Sequence, residues 1–149
     1  MPKVLLIRPN DFIADAMVSL VVRLGLEALR IRTPAELAKA DLAEVVGAVV
    51  STAVTSTMPM SFPEAIASLR RRAQVPLVAT TMLKDEKKAL DFVLAELGNE
   101  SGFVPFGTTA RSPSVLGTPA GVLVLRKDEV EAPTPQLLEV LERHFHRGG

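Results

Sequence analysis

The sequence predicts an α/β domain built on a doubly wound parallel sheet of five strands, with room for a sixth near the C-terminus. Three observations lead there. Short apolar runs alternate with segments of helical period. The run at 45–50 is apolar throughout, as a strand covered on both faces requires. Helix-start and helix-stop residues fall between the runs, so the order reads βαβαβαβα, which implies parallel strands joined by right-handed crossovers.

Each element has its own reason. Residues 3–7 form the first strand. Ile13, Met17, Leu20, Val21 and Leu24 then recur at the spacing of one helix face, and Gly25 can end that helix. Residues 27–31 make a second strand of weaker apolar content, suited to a sheet edge. Thr33, Pro34 and Glu36 form a helix start: a capping hydroxyl, a proline at the first helical position, and a carboxylate able to reach back to the cap. That helix is expected to run to Asp41 or Ala43. After the third strand, Ser61, Phe62, Pro63 and Glu64 repeat the capping pattern, and Ile66, Leu69 and Ala73 continue the apolar stripe. A fourth strand is expected over 75–80. A helix over 84–97 places Leu90, Val93, Leu94 and Leu97 on one side, with Gly98 as its stop.

The tail is less regular. Residues 102–106 read as a short strand in spite of Pro105, and 107–119 as an irregular loop or insertion rich in Gly, Ser, Thr and Pro. Residues 121–126 are a strong strand, either fifth or sixth in the sheet. Thr134 and Pro135 open a last helix through Leu137, Leu138, Val140, Leu141 and Phe145, with His144 and residues 147–149 expected in solvent. With no internal repeat and no linker, residues 1–149 read as a single domain.

Composition narrows the function. The 149 residues are 48% hydrophobic, enough for a sizeable core. Lys plus Arg equals Asp plus Glu at 17 each, so no general field attracts nucleic acid or anionic lipid. The absence of Cys excludes thiol catalysis, disulfides and Cys-ligated zinc. Two His and no Tyr or Trp leave few general bases and no strong stacking platform, which argues against an enzyme. No signal segment and no apolar stretch of membrane-spanning length is visible, so a cytoplasmic location is expected. A mean hydropathy of +0.27 fits a packed core, or an apolar surface covered by a partner or a second copy.

The strand order, the element lengths and the opening run KVLLIRPND resemble the bacterial response-regulator receiver domain, a flavodoxin-like fold. The resemblance covers roughly residues 3–106. Receivers bind magnesium with two acids after the first strand and take phosphate on an Asp ending the third. A Ser or Thr after the fourth strand and a Lys after the fifth complete that site. Here Arg8 and Pro9 stand at the acid pair, Ser51 at the phospho-acceptor, Thr80 or Thr81 at the hydroxyl, and Val104 at the lysine; if 121–126 is the true fifth strand, Leu125 takes the lysine's place. Magnesium needs hard anionic oxygens, which a guanidinium and a proline do not supply, and a Ser hydroxyl cannot form an acyl phosphate. The resemblance therefore implies a degenerate pseudo-receiver: non-enzymatic, without cofactor or metal, and acting through protein partners or as a homodimer in signalling, motility or polarity.

A second expectation comes from the residues alone. Arg8, Ser51, Thr52 and Thr81, with Thr80, can converge at the carboxyl ends of central strands, where open α/β sheets bind ligands, and would suit a small anion or nucleotide phosphate. No Gly-rich phosphate loop follows the first strand, which weakens a dinucleotide claim. Arg70, Arg71 and Arg72 suit the end of their helix dipole or an acidic partner. Met58 and Met60 cover the core edge or form an adaptable docking loop. Ser112-Pro113 and Thr118-Pro119 read as loop punctuation or kinase sites.

Overall fold

The computed structural model describes residues 2–7, 11–52, 60–97, 102–108 and 114–145, with only the backbone of 11–13 included. Six strands and six helices follow one another as β1 (Lys3–Ile7), α1 (Asp11–Arg23), β2 (Glu27–Ile31), α2 (Pro34–Lys39), β3 (Val45–Ser51), α3 (Phe62–Arg70), β4 (Leu77–Thr81), α4 (Glu86–Leu97), β5 (Val104–Phe106), β6 (Gly121–Arg126), α5 (Lys127–Glu131) and α6 (Pro135–His144). All strand pairs are parallel, in the order β2-β1-β3-β4-β6-β5. The sheet is doubly wound, as predicted, and β2 lies at an edge.

Side-chain alternation sorts the core into two layers. Leu5, Ile7, Ala48, Val50, Leu77, Ala79, Val122 and Val124 face α2, α3 and α4. Val4, Leu6, Val49, Val78, Leu123 and Leu125 face α1, α5 and α6. The central strands bury both faces, which accounts for their continuous apolar runs.

The caps act as their sequences dictate. Thr33, Ser61 and Thr134 accept backbone N–H bonds from Glu36, Glu64 and Leu137 at 3.0, 3.2 and 3.1 Å. Glu36 reaches one residue further back than its cap, accepting from Arg32 N–H at 3.0 Å. Helix α2 stops at Lys39, short of the expected Asp41, because Ala40 turns to an extended conformation. The Arg72 guanidinium donates 2.6 Å bonds to the carbonyls of Leu37 and Ala40, closing that helix end. Arg70 lies over the Phe103 ring at 4.3 Å. Two of the three arginines thus serve other elements, not only the dipole of their own helix. In α4 the inner stripe is Ala89, Val93 and Leu97, whereas Leu94, one step of about 100° beyond Val93, is 53% exposed.

The largest departure lies in the tail. Strand β6 takes the sheet position beside β4, and β5 is an added edge strand outside it. Two neighbouring parallel strands need a long return connection, of about a dozen residues or more. The chain makes that return between Phe106, where β5 ends, and Gly121, where β6 begins. Helix α5, absent from the expected order, starts because the Glu129 carboxylate accepts from the Arg126 N–H at 3.1 Å.

His144 is fully buried, contrary to its expected exposure. Its Nδ1 accepts from Gly117 N–H at 3.0 Å, and its Nε2 donates to the Leu77 carbonyl at 2.8 Å. The neutral Nε2–H tautomer satisfies both. The ring also meets Phe106 edge-on at 5.4 Å. One side chain therefore ties α6 to β4, to the inserted strand and to its return connection. Burial lowers its pKa to about 4, opposed in part by the Leu77 bond.

Candidate functional site

The winding direction reverses between β1 and β3, so the crevice of this sheet opens at their carboxyl ends. Ser51 ends β3 and is in register with Thr80 of β4. Thr52 N–H donates to the Thr80 carbonyl at 2.9 Å, which closes the strand ends together. Arg8 and Pro9 lie outside the described residues, as do Met58, Ser112, Pro113 and His146.

Alternation separates the hydroxyls. Ser51 and Thr80 share the face of α1, because Val49 and Val78 two residues earlier do. Both are buried. Thr80 Oγ1 has no hydrogen-bond partner among the described residues. Thr81 turns to the other face, where its hydroxyl accepts from Leu83 N–H at 3.2 Å. The set expected to converge is thus a Ser51–Thr80 pair with Thr52 beside it, and Thr81 is engaged elsewhere.

Val104 does not join this site. It pairs with Gly121 at the start of β6, whereas Thr80 pairs with Leu125 near its end, so the two lie at opposite ends of the sheet. Val104 is also 48% exposed on the edge strand. The strand beside β4 is β6, and the cation at its end is Arg126, level with Thr81.

Arg126 is held by the protein itself. Its Nε donates to Glu129 Oε1 at 3.0 Å, and a second guanidinium nitrogen donates to the Lys84 carbonyl at 2.8 Å. The hydrogen bond that Arg126 donates to the Glu129 carboxylate raises the Arg126 pKa above its ordinary value. Thr108 Oγ1 donates to the other Glu129 oxygen at 2.6 Å. Sequence reasoning missed Thr108, Arg126 and Glu129 as a unit. The i,i+3 spacing of Arg126 and Glu129 was the available signal.

Beside this network a cleft of about 430 Å³ is lined by Met82, Leu83, Lys84, Lys127, Asp128 and Glu131. Met82 and Leu83 are exposed there, and Phe92 and Leu94 are exposed on α4. Met60 packs against the core, and the Thr118 hydroxyl is taken up by the Val115 carbonyl at 2.7 Å.

Among the described residues, no group of three or more His, Asp or Glu side chains is placed to hold a metal ion. Nor is any helix among them long and apolar enough to cross a membrane. Fold and strand ends together define a six-stranded, doubly wound, flavodoxin-like α/β domain with hydroxyls where its sheet reverses. No protein-family model matches the chain, and no curated protein matches it.

Proposed function

We propose that the chain is a pseudo-receiver: a non-enzymatic module that retains the receiver scaffold and works through protein contacts in bacterial signalling, motility or polarity. The observation that carries this reading is Ser51. It ends the third strand, buried and in register with Thr80, and the receiver resemblance assigns this position to the phospho-accepting carboxylate. A hydroxyl there cannot form an acyl phosphate. Arg126, at the end of the strand beside β4, is committed to Glu129 and the Lys84 carbonyl, which supports a structural role for it. The exposed Met82 and Leu83 beside the charged cleft supply apolar area for a partner.

Thermal denaturation with magnesium plus acetyl phosphate or beryllofluoride tests this. The pseudo-receiver gives no shift, and stabilisation contradicts it. The Ser51→Asp variant should also take up no phosphate; acyl phosphate on that single variant would overturn the assignment.

A second reading is favoured by one observation, the buried and unpartnered Thr80 hydroxyl. Such a group costs about 1–3 kcal/mol unless something satisfies it. A small anion or nucleotide phosphate held by Thr80, Ser51 and Arg8 would do so. A panel of phosphates and nucleotides in the same thermal assay, repeated on Arg8→Ala, separates the two readings.

A further inference from the structure

The ring of His144 has walls of unequal strength. Leu77, Phe106 and Phe145, which it touches, are all buried. Residues 114–120 reach the ring through Gly117, and none of them is buried. This segment turns on itself. The Thr118 N–H and hydroxyl both donate to the Val115 carbonyl, at 3.0 and 2.7 Å, and the Gly121 N–H donates to the Thr118 carbonyl at 3.1 Å. Its Ala120 carbonyl accepts from the Val104 N–H at the start of β5 at 2.9 Å. Among the described residues, the bond that ties the segment to α6 runs from the Gly117 N–H to His144 Nδ1. Gly117 has a φ of 79°, and a Cβ there would stand 3.2 Å from the Arg143 carbonyl oxygen, so this approach to the helix end suits glycine alone.

The surroundings offer nothing to a second proton on the ring. Strands β3, β4 and β5 and residues 114–120 contain no titratable side chain, and β6 has none before Arg126, at the far end of that strand. On α6, the neighbouring Glu142 and Arg143 are both exposed. Residues 146–149 lie outside the described residues. An imidazolium donates from both nitrogens. Its new Nδ1–H would point at the Gly117 N–H, donor against donor, in a site without water. The low pKa of His144, about 4, reflects that burial. Relief requires water at the ring. Moving 114–120 gives up one bond to the helix, whereas moving Leu77 or Phe145 opens the sheet and its core.

We propose that His144 is an acid-sensitive latch: protonation of its ring breaks the bond from Gly117 and frees residues 114–120 from the end of α6, while the central sheet stays folded. The freed segment uncovers the ring and loosens the start of β5, which it holds through Ala120. This device does not rest on the pseudo-receiver assignment and can fail or hold independently of it.

Native-state amide hydrogen exchange of the unaltered chain, corrected for the intrinsic pH dependence of exchange, tests this. The segment's opening constant follows the proton affinities of the free and the buried ring, so it should rise about thirtyfold from pH 7.5 to pH 5. The amides of Gly117, Thr118, Gly121 and Val104 should report it, with little dependence on urea, because a local opening exposes little surface. Amides of the central strands, such as Leu5 and Val49, should exchange only through the urea-sensitive global opening. In His144→Gln the acid response of the segment should vanish. Segment amides that exchange with the rate and urea dependence of the central strands would overturn the proposal. So would an acid response that persists undiminished in His144→Gln.

Discussion

His144 permits the most quantitative prediction. Its ring is buried among Phe106, Phe145 and the return connection, and each nitrogen already has a partner. Protonation would turn Nδ1 from an acceptor into a donor facing the Gly117 N–H, in a site that also desolvates the new charge. The folded state therefore holds the proton weakly, with a pKa of about 4 against 6.5 when the residue is free. Between those values the unfolded chain binds more proton than the folded one, so stability falls as the solution is acidified. The contribution is intact above pH 6.5, declines from there to pH 4, and changes no further below it. At about 1.36 kcal/mol per pKa unit, the gap is worth about 3 kcal/mol. That is a large part of the 5–15 kcal/mol by which a domain is ordinarily stable, on the order given by surveys. Urea denaturation at several pH values between 7 and 4 should show it in the difference between the wild type and His144→Gln. The variant keeps an amide donor near Leu77 but cannot titrate. The wild type should lose about 3 kcal/mol more than the variant over this range. A difference that stays flat, or a ring proton that titrates near 6.5 by NMR, would refute the reasoning.

Three further outcomes follow from the structure. Thr80→Val removes the unpartnered buried hydroxyl and should leave the protein equally stable or stabilise it by about 1 kcal/mol in thermal denaturation; a clear loss would mean that the hydroxyl has a partner in the folded chain. Gly47→Ala puts a methyl group into the Phe145 ring and should destabilise by about 1–3 kcal/mol. Pairing it with Phe145→Leu should recover part of that loss, and additive losses would count against the overlap. Arg72→Ala opens the carbonyl end of α2 and should cost about 1 kcal/mol, with faster amide exchange in 34–39 as its local signature; unchanged exchange there would argue against the cap.

How much was legible depended on the range of the chemistry. Thr33, Ser61 and Thr134 could be read as caps because the donor lies three residues from the acceptor. The edge position of β2 could be read from its mixed composition, since a strand with one open side tolerates Glu27 and Arg30. Ser51 and Thr80 lie side by side because β3 and β4 pair in parallel, in the register that brings the last residue of one level with the next-to-last of the other. Thr81 was grouped with them wrongly: one step along a strand reverses the face. Val104 was misplaced for a different reason. Chain order made 102–106 the next strand after α4, yet apolar content favours 121–126 for the covered position. Residues 121–125 are all buried in the sheet, whereas β5 begins exposed and carries a proline.

By itself, the sequence determined the alternating layout, the parallel sheet, the two-sided burial of its central strands and the ends of most helices, because periodicity and capping act within a few residues. Only the tertiary structure decided that β6 sits inside β5, that Arg72 closes α2, and that His144 is a buried anchor instead of a solvent-exposed tail residue. Those outcomes join groups 35 residues apart for Arg72 and Leu37 and 67 apart for His144 and Leu77. No local pattern encodes such pairings: a histidine beside Arg143 near a chain end looks polar until packing removes its water and supplies one donor and one acceptor in exchange.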